Sequence, residues 1–144
     1  MGPYDELDVI DVLLTQHDQI VAALDQVEAS GDGSRSAALR SLAALVDLHE
    51  SVEARLVHPL TSRVVPGGDA IAHARVVEED QVTELLGRLC AMDTNGSRFS
   101  DAFAVFRDVL AGHMHREEAE EFVALREQAD GRELRDAAGA AHVG

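Results

Sequence analysis

The chain has 144 residues, enough for one domain and too few for two comfortable ones. Against 27 acidic residues stand only 12 Lys and Arg, a formal charge of -15. A field of that sign repels phosphate backbones and anionic lipid surfaces and draws cations, which excludes nucleic acid and membranes as expected partners. The lone Cys90 closes no internal disulfide, the opening Met1-Gly2-Pro3-Tyr4-Asp5-Glu6 lacks the basic and apolar parts of a secretory signal, and no apolar run reaches membrane-spanning length. The expectation is a soluble cytoplasmic protein.

Aromatic residues make up 3% of the chain, the β-branched alternation of strands is absent, and helix formers dominate. A first helix is predicted over about 5–29, with Leu7, Ile10, Leu14, Val21 and Leu24 at alternating three- and four-residue spacing. Ser30-Gly31-Asp32-Gly33-Ser34 ends it. A second follows over about 36–60, its apolar line running through Leu39, Leu42, Val46, Leu56 and Leu60, with Pro59 and then Pro66-Gly67-Gly68 closing it. Asp69 is the expected N-cap of a third, about 70–91, carrying Ile71, Val82, Leu85 and Leu89. After the turn Asp93-Thr94-Asn95-Gly96-Ser97, a fourth runs over about 100–128 with Phe103, Phe106, Leu110, Ala124 and Leu125 inward. Asp130-Gly131-Arg132-Glu133 resembles a capping box and predicts a short fifth helix. Short connections favour antiparallel neighbours, so the expected architecture is all-α: an up-down-up-down four-helix bundle over 1–129, then a short helix and flexible tail over 130–144.

The stripes are interrupted by polar residues. The first reads Leu14, His17, Val21; the second Val46, His49, Glu53, Leu56; the fourth Leu110, His113, Glu117, Ala124. At about 100° per residue, a four-residue step puts His49 above Glu53 and His113 above Glu117 on one face. A single core histidine reads most simply as a hydrogen-bonded one. Burying two glutamates is different, because an unpaired carboxylate in an apolar core costs several kcal/mol. No Lys or Arg falls on these stripes beside the glutamates, which points to metal ions as the shared partner, against a buried polar network as the bland reading. On the third helix, with Val82 as stripe centre, Glu78 lies about 40° to one side, Glu79 about 60° to the other, and His73 about 180° away.

The other titratable residues read as structural. His58 suits a helix terminus, His115 and most of the Glu117–Glu121 run a solvated face, His142 the tail, and Cys90 a buried structural thiol. None of the seven histidines has Glu three residues before it, which excludes a ferritin-like Glu-x-x-His ligand set, and no His-Glu-x-x-His zinc motif occurs.

With His17, then His49-Glu50-Ser51-Val52-Glu53 followed by Pro59, then His113-Met114-His115-Arg116-Glu117 with Phe122 beyond, residues of about 7–127 resemble the hemerythrin-like, HHE cation-binding, domain family. The resemblance implies a bundle holding two iron ions joined by two carboxylates and an oxo or hydroxo group. His17, His49 and His113 are then terminal ligands, and Glu53 and Glu117 the bridges. The family pattern has a histidine on the third helix; alignment of the apolar run puts Glu79 there, with Glu78 as second candidate and His73 as third. A set richer in carboxylates stabilises ferric iron, also suits manganese and tolerates zinc, and turns the expectation from reversible oxygen carriage towards reaction with O2, H2O2 or NO. The alternatives are a metal sensor or store without turnover, and a metal-free acidic interaction domain.

Overall fold

A computed structural model describes residues 7–31 and 33–143; the sequence readings for residues 1–6, Asp32 and the side chain of His142 lie outside the described residues. The elements are α1 (Val9–Ala29), α2 (Arg35–Val52), a π-helical turn π1 (Glu53–Val57), α3 (His58–Val64), α4 (Gly68–Ala91), α5 (Phe99–Arg116), a second π-helical stretch π2 (Glu117–Phe122), α6 (Val123–Gln128) and α7 (Gly131–Val143). The segments 35–64 and 99–128 are each one continuous rod with a widened turn inside it. With α1 and α4 they make the four-helix bundle expected from the sequence. Among the described residues no helix is long and apolar enough to cross a membrane.

Local chemistry sets the boundaries. Asp8 caps α1, its carboxylate accepting from the Asp11 N–H at 2.9 Å while Asp11 accepts from the Asp8 N–H at 3.0 Å. Pro59 does not close the second rod. A proline lacks the N–H for an i→i−4 bond and crowds the carbonyl four residues back. Here the turn widens instead: the His58 N–H reaches the Glu53 carbonyl, five residues back, and the helix continues to Val64. Asp69 is not the cap of α4 either. Gly67, at φ 72°, holds that position, and Gly68 follows it so closely that a Cβ there would lie 2.0 Å from the Thr61 carbonyl oxygen. At α7, Asp130 accepts from the Arg132 N–H at 2.8 Å, while Glu133 turns to Arg63 rather than back to the cap.

Two apolar clusters fill the bundle. One joins Ile20, Leu24, Leu42, Val46, Val82, Leu89, Phe103 and Phe106; the other joins Val9, Ile10, Leu13, Val52, Val57, Phe122 and Leu125, and α7 seats Leu134 and Ala138 against it. The expected stripes are rotated in places. Leu7, which precedes α1, and Val21 on it are exposed, and Leu13 and Ile20 take the inward positions. On α4 the stripe runs Ala72, Arg75, Glu79, Val82, Leu86, Leu89, so Leu86 rather than Leu85 lies on it.

A candidate metal centre between the two apolar clusters

The polar interruptions form a belt across the bundle where the two apolar clusters meet. His17 comes from α1, His49 from the last turn of α2, Glu53 and Glu117 from the first residues of π1 and π2, Glu79 from α4 and His113 from α5; all are buried. His17 Nε2 lies 3.1 Å from His49 Nε2 and 3.1 Å from Glu117 Oε1. His49 Nε2 touches Glu53 Oε1, and His113 Nε2 lies 3.3 Å from Glu117 Oε1 and 3.9 Å from Glu79 Oε1. One group joins Glu53, His58 and Glu121, and two overlapping groups of four, His17-His49-Glu53-Glu117 and Glu53-Glu79-His113-Glu117, likewise bring their donor atoms within 4.8 Å of one another. Glu53 and Glu117 belong to both.

The sequence offered three candidates on α4, and the structure separates them. Glu79 reaches the belt. Glu78 stands just outside, accepting from His113 Nδ1 at 2.8 Å and from Arg116 Nε at 2.7 Å. His73 is exposed and belongs to no group of metal-ligating residues among those described. Leu86 lies about 40° from Val82 on the side where Glu79 lies, and Leu85 on the side of Glu78, so a stripe through Leu86 turns Glu79 inward.

Four residues are placed differently from their sequence readings. His58 is buried, with Nε2 2.7 Å from Glu79 Oε1 and 3.6 Å from Glu53 Oε2. Glu121, read as solvated, is fully buried and accepts from His58 Nδ1 at 2.9 Å and from the Thr61 hydroxyl at 2.7 Å. Both displacements follow from the widened turns, each of which rotates the helix beyond it. Arg75 sits buried on the α4 stripe, a position the sequence reading left unassigned; it pairs with Glu78 and Glu120, not with the belt. Cys90 is exposed, since it falls about 100° past Leu89 on the α4 stripe.

Every imidazole in the belt is tied from outside. His17 Nδ1 meets Glu118 Oε2 at 2.8 Å, His49 Nδ1 meets Gln16 Oε1 at 2.7 Å, His58 Nδ1 meets Glu121 and His113 Nδ1 meets Glu78. An Nδ1–H spent on an outer acceptor leaves the Nε2 lone pair facing inward, the arrangement that orients metal-bound histidines. Inside, His113 Nε2, both oxygens of Glu53 and Glu117 Oε2 are buried without a hydrogen-bond partner. Lone pairs pressed together at such distances need a proton or a cation between them. Metal–donor bonds of about 2.0–2.2 Å set neighbouring donors roughly 3 Å apart, the spacing found here, so this donor set fits a bound cation.

The charge balance agrees. Burial holds His17 and His113 below the ordinary histidine range, His49 adding to the effect at His17. Burial pushes Glu79 up to about 7 against the pull of His58. Burial also disfavours charge on His58, but its hydrogen bonds to Glu121 and Glu79 outweigh this and lift it to about 10. The His58–Glu79 contact is thus a shared-proton contact. Above pH 7 the folded, metal-free chain keeps a proton on His58 that the unfolded chain, with a histidine near 6.5, has released. Stability of the metal-free protein should therefore fall as pH rises from about 7 to about 10. Urea unfolding at two pH values in that window measures the slope, and His58→Gln should flatten it.

The family model described as the hemerythrin HHE cation binding domain matches residues 8–125, most of the chain. The chain belongs to the hemerythrin HHE cation-binding family. Among solved structures, the crystal structure of a hemerythrin HHE cation binding domain-containing protein, the Rv2633c homolog from Mycobacterium kansasii, superposes with a TM-score of 0.85. The two are 21% identical over 95% of this chain and 84% of that one, a likeness of fold. No curated protein matches this HHE chain by sequence.

Proposed function

We propose that this HHE domain holds a dinuclear non-haem iron centre that reacts with O2, hydrogen peroxide or NO, with His17 and His49 on one ion, Glu79 and His113 on the other, and Glu53 and Glu117 shared. The observation that carries this reading is the convergence of inward Nε2 lone pairs and unpartnered carboxylate oxygens, each imidazole held by an outer acceptor. A metal-free acidic bundle would leave these groups mutually unsatisfied, at several kcal/mol.

When bound, a pair of irons supplies one-electron steps that side chains lack, and manganese or zinc would fit the same donors without the same redox range. The chain's own part is to bind, orient and shield. Glu53, with both oxygens buried without a hydrogen bond, and Glu117, with Oε2 so, would be the carboxylates to hold the two cations between them. Glu118, Gln16 and Glu78 fix the tautomer of the three histidines, so no ring must turn when a cation arrives. Glu79 holds a proton near neutral pH and gives it up to a cation, which makes uptake tighter as pH rises. The Phe122 ring stacks 5.6 Å from His17 and keeps water from that side. A shallow depression lined by Ala54, His58, Pro59, Ala72 and Val76 opens beside His58.

Three or more carboxylates favour the ferric state, and this argues for oxidation chemistry over reversible oxygen carriage. Peroxide consumption by the iron-loaded protein, followed by oxygen release, is the test. Turnover at a rate above free iron is expected. Iron that stays bound while peroxide persists would assign the centre to storage or sensing.

A further inference from the structure

We propose that His58 is a metal ligand of this chain, the second imidazole on the Glu79–His113 side, and that Glu121 with Thr61 holds it in position. The inference rests on the metal-centre reading above and deepens it. Without His58 the two sides have four protein ligands each but unequal numbers of imidazoles. One has His17 and His49 with the shared Glu53 and Glu117; the other has His113 alone with those two and Glu79. His58 corrects the imbalance, because its Nε2 stands 2.7 Å from Glu79 Oε1 and 3.6 Å from Glu53 Oε2, the separation of neighbouring donors on one ion.

Its surroundings are built like those of the other three. The Nδ1–H is donated to Glu121 Oε2 at 2.9 Å, which leaves Nε2 to face Glu79 and Glu53. Glu121 is itself fixed by the Thr61 hydroxyl, which donates to it at 2.7 Å, and is fully buried. A histidine that served only to terminate a helix would need no buried carboxylate behind it. The fold arranges this through the widened turn π1, where the His58 N–H bonds to the Glu53 carbonyl five residues back. Five residues on a π turn, like four on an α turn, return to the same face, so Glu53 and His58 point the same way. Pro59 disfavours the regular alternative.

Anaerobic titration with ferrous iron tests the assignment. The unaltered chain should take up about two ions, and in His58→Gln and His58→Phe one ion should bind as before while the other weakens by about 100-fold or more. His73→Ala, an exposed histidine near the same depression, should leave both unchanged. Glu121→Gln should weaken the same single ion by about tenfold, the size expected of a group that only positions a ligand. A readout that needs no variant is the proton spectrum of the cobalt(II)-loaded chain. Four exchangeable, strongly shifted Nδ1–H signals are expected, from His17, His49, His58 and His113, and Glu121→Gln should move only the one from His58. Three signals, or a His58→Gln protein that binds both ions with unaltered affinity, would overturn the role of His58 while leaving the metal centre standing. An unaltered chain that binds no iron would instead remove the reading on which this one rests.

Discussion

Glu53→Ala is expected to empty the centre. This carboxylate belongs to every group of potential ligands in the belt, touches His49 Nε2, lies 3.6 Å from His58 Nε2, and has both oxygens buried without hydrogen bonds. Loss of an outer acceptor of a ligand histidine costs a metal site about 10–100-fold in affinity, so loss of a shared ligand should weaken both ions by more than about 100-fold. Metal content measured after desalting should fall from about two ions per chain towards none. Helix content by circular dichroism separates this from unfolding: Glu53 sits between the apolar clusters, and Val52 and Val57 still hold π1 in the core. Retained helix with retained metal would contradict the shared role.

The second large effect is on stability. Adding ferrous iron to the metal-free protein should raise its melting temperature by about 10 °C. Free metal at 1,000 times its dissociation constant stabilises a folded chain by about 4 kcal/mol, and a domain of this size shifts about 2–4 °C per kcal/mol. The physical source is in the belt: Glu53, Glu79, Glu117 and Glu121 are buried together, and the buried arginine on α4, Arg75, is spent on Glu78 and Glu120. Differential scanning fluorimetry with and without iron measures the shift, and Glu53→Ala should abolish it.

What was legible in the sequence follows the α-helical period. His17, His49, Glu53, His113 and Glu117 stand at three- and four-residue steps from large apolar side chains, so their face could be read directly. The four rods were legible for the same reason. The choice on α4 was not, because Leu85 and Leu86 are adjacent and either can be taken as the stripe; the resolving signal was Ala72 and Arg75, which extend the line through Glu79. His58 and Glu121 were hidden more deeply. Both lie in or after a π turn, where the regular period fails, and a reading at 3.6 residues per turn rotates everything beyond it outward. Two signals pointed there. Pro59 sits where an unbroken α-helix cannot keep its bond, and Leu125 rather than Ala124 is the large apolar residue after Glu117, one step late for an unbroken helix. The outer partners Gln16, Glu78 and Glu118 depend on side-chain reach between helices, which spacing within one helix does not encode.

The belt between the two apolar clusters is proposed to hold a pair of metal ions. The decisive measurement is metal analysis of the protein purified without added metal, with its absorption spectrum before and after peroxide. About two irons per chain are expected, with the near-ultraviolet bands of an oxo- or hydroxo-bridged ferric pair. Protein that carries no metal, and whose melting temperature stays the same when ferrous iron is added, would contradict it and leave a structural bundle with a polar core.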